Sequence, residues 1–331
     1  MYLIAEIGQA HDGSLGMAHS FIDALANTGV HAVKFQMHIA EAESSQHEPF
    51  RVNFSYEDKT RYDYWQRMEF TFEQWQGIAA HCKECGLEFL ASPFSIEAVN
   101  RLDQLGVTQF KIGSGEVNNF LLLESIAKTQ KHIILSSGMS SFAELDKTVA
   151  FLKSRGATYS MLQCTTSYPT KPDVWGLNVI GELKERYKVP VGFSDHSGDI
   201  FACLAATALG AEILEFHVTF DKQMFGPDAT SSLNLAEVAR LAEGVKQIDT
   251  ALANPIDKSD NSDYNHLKGM FEKSLAINKD LPAGHVLTLA DLESKKPKGY
   301  GMNAALFETV LGQSLKANMA KWDFLNEDDL Q

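Results

Sequence analysis

Short apolar runs rich in β-branched and aromatic residues alternate with longer amphipathic stretches through residues 2–253. The runs are residues 2–8, 31–37, 87–94, 109–116, 132–138, 159–165, 189–196 and 212–219. Stretches between them, such as SLGMAHSFIDALANTG and SFAELDKTVAFLKSRG, place apolar residues three and four positions apart and carry a glycine at the end, as helices do. The alternation predicts eight strands, each followed by a helix, and therefore a parallel sheet.

Eight such units favour an α/β fold of the (β/α)8 TIM-barrel type. The structural alternative is an open, doubly wound sheet. A sheet of that kind that binds a dinucleotide carries a glycine fingerprint after its first strand, whereas the sequence there, IGQAHDGSLG, has the wrong spacing. We therefore expect the barrel.

Two segments depart from this alternation. The stretch between Met37 and Phe72 is too long for an ordinary connection, and its aromatic residues predict an ordered lid. The other departure begins near residue 254, where NPIDKSDNSDYNH predicts a linker. We divide the chain into a catalytic TIM barrel at 1–253, a linker at 254–272 and a small β-rich module at 273–331. A module of this size buries little core, so we expect it to dock onto another surface.

The amino-acid composition limits the classes of molecule that the protein can bind. The 331 residues include 29 basic and 43 acidic side chains, a formal net charge of −14, and 44% are hydrophobic, enough for a sizeable core. A chain with this negative charge repels nucleic acid and anionic membranes, and we expect neither as a partner. An anionic substrate would need a local cluster of cations in its binding site. The apolar runs are too short to span a bilayer, and the first residues, MYLIAEIG, lack the features of a signal peptide. We therefore expect a cytoplasmic location.

Two of the four cysteines, Cys82 and Cys85, form a CxxC motif within a helical pattern. Such a motif could be a redox pair or half of a zinc site. Because the sequence has no second CxxC, we interpret the two as reduced helix cysteines.

Every predicted strand delivers a polar side chain near its carboxyl end, where barrel enzymes place their chemistry. These residues are Glu6, Lys34, Gln36, Ser92, Lys111, Ser114, Glu116, Ser136, Thr165, Thr166, Ser194, Asp195, His196 and His217. A closed barrel has no edge strand, so Lys34 and Lys111 need an anion. Ser114, flanked by glycines, offers backbone amides that could cradle a phosphate. Glu6 and Glu116 are candidate acid/base groups, or they neutralise a lysine.

His196 and His217 occupy comparable positions on adjacent strands. Two imidazoles there can bind one divalent metal and leave coordination positions for water and substrate. His11 and His38 also follow strands and are further candidates. Asp195 either orients the neighbouring imidazole or caps the following helix. Together, lysines, hydroxyls, carboxylates and a metal suit the condensation of a small phosphorylated acid with a carbonyl compound.

Eight motifs, in order along the chain, resemble those of the sialic acid synthases and their relatives, the legionaminate and pseudaminate synthases. They are AEIGQAHDGS, AVKFQ, KIGSGE, LSSGM, CTTSYPT, GFSDHSG, EFHVT and GPD. The resemblance extends to the C-terminal module, where SLAINKDLPAGHVLTLADL and KKPKGYGM are similar to the antifreeze-like (SAF) domain of that family. It implies the condensation of phosphoenolpyruvate with N-acetylmannosamine or a diacetamido-hexose, with Mn²⁺ or Mg²⁺ as cofactor and release of phosphate. It also implies a domain-swapped homodimer.

The same resemblance implies roles for individual residues. The metal ligands are His196 and His217. The residues around phosphoenolpyruvate are Lys34, Ser92, Lys111, Ser114, Ser136, Tyr168 and Ser194, and those facing the sugar are Gln36, Asp228 and Lys296. The residues that serve catalysis are Glu6, Glu116 and Lys111.

The sequence departs from the family's usual motifs mainly on the sugar side. The departures are Ala10, Ser92, Thr166, Phe216 and Lys296, where the family usually has Asn, Thr, Asn, Lys and Arg. A lysine cannot reproduce the bidentate contact of an arginine. The resemblance therefore leaves the identity of the sugar open.

Three alternatives compete with the synthase. A metal hydrolase on this barrel usually has an HxH pair after its first strand, which is absent from the sequence. A phosphoenolpyruvate-dependent synthase for an aldose phosphate needs an extra basic cluster, and none is evident. A catalytically inactive sugar-binding relative would have no need of the two lysines, the two glutamates and the two histidines singled out above.

Overall fold

In the computed structural model, which describes residues 1–52 and 54–331, eight parallel strands follow one another around a barrel. They are β1 (Tyr2–Gly8), β2 (Ala32–Met37), β3 (Glu88–Pro93), β4 (Gln109–Ile112), β5 (His132–Ser136), β6 (Tyr159–Cys164), β7 (Val191–Asp195) and β8 (Ile213–Thr219). Because β1 pairs with both β2 and β8, the first strand joins the last, and the predicted barrel is confirmed over the open sheet. Strands β3 and β4 lie side by side without a ladder between their described residues, so the barrel is nearly closed.

Helices fill the connections between strands. They are α1 (Leu15–Leu25), α2 (Ala40–Glu43), α3 (Arg61–Met68), α4 (Phe72–Glu84), α5 (Ile96–Gln104), α6 (Phe120–Lys128), α7 (Phe142–Ser154), α8 (Asn178–Tyr187), α9 (Phe201–Ala208) and α10 (Leu235–Ala253). Side-chain caps set the start of most of these helices: Thr71 and Gln74 form a capping box at α4, and Ser141 and Glu144 form another at α7. Gly86, with φ +72°, ends the turn after α4 in a conformation that favours glycine.

The barrel interior is apolar at one end and polar at the other. Buried apolar side chains from five strands form a plug toward the amino ends: Ile4, Ala32, Leu90, Ile134 and Leu162. Inward-facing residues of a strand are two positions apart, so the next layer consists of Glu6, Lys34, Ser92, Ser136 and Cys164. The polar residues therefore stand directly on the apolar plug, at the carboxyl ends of the strands.

The long connection between β2 and α4, residues 38–71, is called here the lid segment, and aromatic side chains among its described residues pack together. Its own cluster of side chains consists of Ala40, Tyr64, Trp65 and Met68, with Phe50, Phe54 and Tyr62 against it. Arg67 joins the segment to the loop after β1, with its Nη1 atom 2.6 Å from the Asp12 carboxylate and its Nη2 atom 2.7 Å from that of Asp58. The lid segment is thus a packed element with fixed contacts.

The chain divides into two compact units, Met1–Asn254 and Pro255–Gln331. In the first, a short strand β9 (Leu233–Asn234) pairs with β8. In the second, β10 (Ser274–Ile277) pairs antiparallel with β11 (Leu292–Lys295), and isolated bridges link the surrounding loops. This unit also contains α11 (Asn265–Phe271), within the stretch predicted as a linker, and α12 (Phe307–Val310). Its small core consists of Leu275, Ile277, Leu281, Leu287, Val310, Leu315, Met319, Leu325 and Leu330. Within the described residues of the whole chain, no helix has both the length and the apolar character needed to cross a membrane.

Candidate active site

A cavity of about 390 Å³ opens at the carboxyl ends of the barrel strands. The structure brings nearly all of the predicted site residues to its wall: Glu6, Lys34, Gln36, Ser92, Lys111, Ser114, Glu116, Ser136, Tyr168, Ser194, His196, His217 and Asp228. Lys296 belongs to the second unit, where its Nζ atom lies 4.9 Å from the centre of the Phe271 ring. The cavity is therefore the candidate active site of the barrel.

Lys34 is buried on β2 and carries its charge there. Its ammonium group forms an ion pair with Glu6, lies 3.8 Å from the Glu215 carboxylate and donates a hydrogen bond to Ser92 Oγ at 3.3 Å. Burial alone lowers the pKa of Lys34, but the two carboxylates outweigh it and the pKa is raised. The lysine stays protonated, as an anion-binding group must.

Lys111 is held in the same way from β4. Its Nζ atom lies 3.3 Å from Glu215 Oε1 and donates to Ser136 Oγ at 2.7 Å. Ser194 Oγ donates to the same Glu215 oxygen at 3.0 Å. Burial raises the pKa of Glu215, yet the neighbouring Lys111 and Lys34 prevail and lower it to about 2. Glu215 is thus a buried carboxylate shared by two lysines.

Sequence reasoning missed Glu215, although a signal was present. Glu215 lies two positions before His217 on β8 and so faces the same side of the strand. We expected each buried lysine to need an anion, and the structure supplies one from the protein itself: two ammonium groups face two carboxylates. The barrel interior is therefore close to neutral before any substrate enters.

His196 and His217 lie together on neighbouring strands, with ring centres 5.3 Å apart. His196 Nδ1 is 3.1 Å from the Thr165 carbonyl oxygen, and His217 Nδ1 is 3.9 Å from Asp228 Oδ2. Burial, together with the neighbouring His217, lowers the pKa of His196 to about 3. A neutral imidazole is the form that binds a metal, and His196 Nε2 is the nitrogen that its carbonyl contact leaves available. The pair fits a divalent ion whose other ligands are water and substrate.

The carboxyl groups of Glu116 and Glu6 both line the cavity. Burial raises the pKa of Glu116 and the nearby Glu43 adds to the effect, against a hydrogen bond of 2.7 Å donated by Asn119. Glu6 Oε1 accepts a hydrogen bond from Gln36 Nε2 at 2.8 Å, and its other oxygen pairs with a lysine. The two groups therefore differ in environment: burial raises the pKa of Glu116, whereas Glu6 is paired with a cation.

Ser114 lies close to β5, β6 and the loop that follows β5. Its hydroxyl is 3.6 Å from Cys164 Sγ, and a Cβ atom added at Gly138 would come within 1.9 Å of that hydroxyl. Glycine at 138 is therefore required for the close approach of these segments. The arrangement keeps the Ser114 hydroxyl at the cavity wall.

The sequence left the roles of His11, His38 and Asp195 open, and the structure shows what each side chain contacts. His38 stacks between Trp65 and Phe94, with ring centres 3.8 and 4.7 Å away, and His11 packs on Phe70 at 4.8 Å. Asp195 accepts hydrogen bonds from the backbone N–H and the hydroxyl of Ser197, at 3.0 and 2.7 Å. Asp195 therefore caps the turn after β7.

The lid segment contributes wall residues that the sequence did not single out. Arg51 is one of them: its Nη2 atom is 2.6 Å from Asp228 Oδ1, and its guanidinium carbon is 4.0 Å from the centre of the Tyr168 ring. Arg61 pairs with Glu48 at 3.0 Å. Contacts between loops that are far apart in the chain cannot be predicted from a local sequence pattern.

Comparison with known proteins identifies the family of the chain. The model of the NeuB family matches residues 21–257. The chain belongs to the NeuB family. It is 34% identical to the N,N'-diacetyllegionaminic acid synthase of Campylobacter jejuni, over 98% of both chains. It is also 34% identical to the mouse N-acetylneuraminate-9-phosphate synthase, over 90% of this chain and 84% of that one.

This NeuB-family chain is also similar to a solved structure of a sugar acid synthase. The N-acetylneuraminic acid (sialic acid) synthetase of Leptospira borgpetersenii, in complex with citrate, superposes with a TM-score of 0.70 at 30% identity. The match covers 80% of this chain and 89% of that one. Another relative is the pseudaminic acid synthase of C. jejuni, 30% identical over 100% of this chain and 97% of that one. The NeuB-family chain is therefore an enzyme of the sugar acid synthase type.

Proposed function

We propose that the barrel cavity condenses phosphoenolpyruvate with an N-acetylated amino-hexose that bears no phosphate, and that inorganic phosphate is released. The observation that carries this proposal is the pair of lysines, Lys34 and Lys111, joined through Glu215 beside the imidazoles of His196 and His217. Fixed cations for an anionic substrate and a metal position for a carbonyl are the two requirements of the reaction.

The phosphorylated acid is assigned to the bottom of the cavity. Lys34 and Lys111 each have three donors, and each has long contacts among its partners: Glu215 is 3.8 Å from Lys34, and the Ile112 carbonyl is 3.4 Å from Lys111. An anionic ligand can replace these long contacts. The hydroxyl groups offered to the same ligand are those of Ser92, Ser114, Ser136, Tyr168 and Ser194. A charged ligand there is surrounded by donors that are already oriented by the protein, so binding requires little rearrangement.

A divalent ion such as Mn²⁺ or Mg²⁺, held by His196 and His217, would polarise the carbonyl oxygen of the open-chain sugar. C3 of phosphoenolpyruvate then forms a bond to that carbonyl carbon, and the carbonyl oxygen gains a proton. The raised pKa of Glu116 makes it the candidate donor. Water adds its oxygen to C2 and gives a proton to a carboxylate, for which Glu6 is the candidate. Phosphate leaves as its bond to C2 breaks and takes up the proton of the new C2 hydroxyl, so a 2-keto acid remains.

The part of the cavity wall that includes Arg51, Arg61, Glu43, Glu48 and Asp228 is called here the upper wall. Its charges favour a sugar without phosphate. Within the described part of the lid segment, Arg51 pairs with Asp228 and Arg61 with Glu48, so each pocket arginine already faces a carboxylate. Further carboxylates, Glu43 among them, line the same wall. A sugar phosphate would meet excess negative charge there. Gln36 and Asp228 instead offer hydrogen-bonding groups for hydroxyl and amide groups.

The test is phosphate release from phosphoenolpyruvate with Mn²⁺ across N-acetylmannosamine, its 6-phosphate and diacetamido-hexoses. We expect release with at least one unphosphorylated sugar and loss of it in Lys111→Ala, whereas Lys128→Ala, at a lysine whose side chain is 74% exposed, keeps full rate. No release with any sugar, together with measurable sugar binding, would instead establish the inactive sugar-binding relative.

We also propose, from the resemblance of its sequence, that the second unit is a SAF domain and that two chains exchange these units in a homodimer. Lys296 would then face the sugar of the partner's barrel. The two single variants Lys111→Ala and Lys296→Ala are mixed after denaturation and refolded together. Exchange predicts recovered activity, since one barrel of the mixed dimer has both lysines. Activity no higher than the sum of the separate variants would rule the exchange out.

A further inference from the structure

Four metal-binding side chains meet on the outside of the barrel, away from the cavity. His19 and Asp23 are four positions apart on α1, and His81 and Cys85 are four positions apart at the end of α4. Residues at this spacing lie on one face of a helix. Because α1 packs against α4, the two faces meet, and we call these four residues the α1–α4 cluster.

The distances within the α1–α4 cluster suit a small metal ion. His81 Nε2 is 2.9 Å from Asp23 Oδ1, and Cys85 Sγ is 4.0 Å from the same oxygen. The ligand atoms of these three residues all lie within 4.8 Å of one another. Ligand atoms of a tetrahedral zinc site, with bonds of about 2.0–2.3 Å, are separated by roughly 3.3–3.8 Å. Small side-chain rotations therefore bring the three into coordination.

His19 occupies the position that supports a metal-bound imidazole. Its Nδ1 atom is 2.8 Å from Nδ1 of His81, on the side of that ring opposite Asp23. A ligating histidine commonly uses its second nitrogen for such a hydrogen bond, which fixes the tautomer and the orientation of the ring. The contact holds the His81 ring with its Nε2 atom toward Asp23.

We propose that Asp23, His81 and Cys85 bind one zinc-type divalent ion, that His19 orients His81, and that water completes the coordination. A thiolate, an imidazole and a carboxylate select Zn²⁺ or Co²⁺ over the hard ions Mg²⁺ and Mn²⁺. Binding releases the proton of the Cys85 thiol. The ion links α1 to α4 and stabilises the outside of the barrel, independently of the reaction in the cavity.

The two cysteines of the CxxC motif, Cys82 and Cys85, lie in different environments. Cys82 is fully buried in the core, and burial raises the pKa of its thiol to about 12, so it stays protonated. Cys85 is partly exposed and faces the carboxylate of Asp23 instead. The two sulfurs therefore serve different purposes, and only Cys85 belongs to the proposed metal site.

The experiment is a Co²⁺ titration of the full chain in the His217→Ala background, which removes one imidazole of the cavity. We expect a thiolate-to-cobalt absorption band that saturates at one equivalent, is abolished by Zn²⁺ and persists in excess Mn²⁺. Cys85→Ser should abolish the band, and His19→Ala should weaken cobalt binding by about 10- to 100-fold. The matched control His132→Ala, at a histidine outside the cluster, should leave the band unchanged.

A second readout follows thermal unfolding in the same His217→Ala background. Zn²⁺ should raise the Tm of this background and of its His132→Ala variant, but not that of its Cys85→Ser or His81→Gln variants. A band that survives in Cys85→Ser, the absence of any thiolate band, or an equal Tm shift in all variants would overturn the proposal. None of these outcomes depends on phosphate release, so the result is independent of the proposed reaction.

Discussion

The ammonium group of Lys111 lies 3.3 Å from the carboxylate of Glu215, deep inside the barrel. The two residues come from β4 and β8, which are not neighbours in the sheet, so their contact crosses the barrel interior. Glu215 also faces Lys34. One carboxylate on the last strand therefore sets the charge of two lysines on other strands, and several expectations follow from that arrangement.

Removing the Glu215 charge should destabilise the fold. In Glu215→Gln the buried Lys34 keeps its pair with Glu6, whereas the buried Lys111 loses its carboxylate partner, and breaking a buried pair costs about 3 kcal/mol or more. Urea unfolding measures the loss. Glu124→Gln is the matched control, because Glu124 pairs with Arg155 and Lys128 at the surface and should cost under about 1 kcal/mol. Equal losses in both variants would contradict the buried pairing.

Stability should fall in mild acid because of His11. Burial lowers the pKa of His11 from 6.5 to about 3, so the folded chain binds one proton fewer than the unfolded chain between these values. Stability is therefore lost as the pH falls below 6.5, by at most about 1.4 kcal/mol per pH unit. His11→Asn should reduce this slope between pH 6.5 and 5 in urea unfolding. His47→Asn, at an exposed histidine, should keep the wild-type slope.

Replacing His217 should remove the Mn²⁺-dependent turnover. In His217→Ala a single imidazole remains, and turnover with Mn²⁺ should fall by at least about 100-fold while the circular dichroism spectrum is unchanged. Calorimetric titration with Mn²⁺ should show the same loss of binding. His132→Ala, at the start of β5, should behave as wild type in both measurements. Full activity in His217→Ala would remove the metal assignment.

Arg51 should affect the sugar more than the phosphorylated acid. Its bond to Asp228 and its contact with Tyr168 fix the upper wall, so Arg51→Ala should raise KM for the sugar by about 10-fold or more, a loss typical of a charge-assisted hydrogen bond. KM for phosphoenolpyruvate should change less. Arg51→Lys should recover only part of the loss, because lysine lacks the planar fork. Equal changes in both KM values would argue against a role in sugar selection.

Much of the barrel could be predicted because its signals are local. The apolar runs predicted eight strands, and the strand ends predicted which polar residues line the cavity. Glu215 was missed because it lies between Leu214 and Phe216 in an apolar run, although the two-residue period places it beside His217 in the interior. Arg51 and the α1–α4 cluster were missed because their contacts join segments that no sequence spacing relates.

The sequence by itself determined the number of strands, the inward-facing positions and the presence of lysines and histidines at the carboxyl ends, since periodicity and chain order express these features. The tertiary structure decided which carboxylate neutralises which lysine and which loop arginine holds Asp228. It also decided that His38 and His11 pack against aromatic rings. These outcomes depend on distances between residues far apart in the chain, and those distances are set only when the barrel closes and its helices pack.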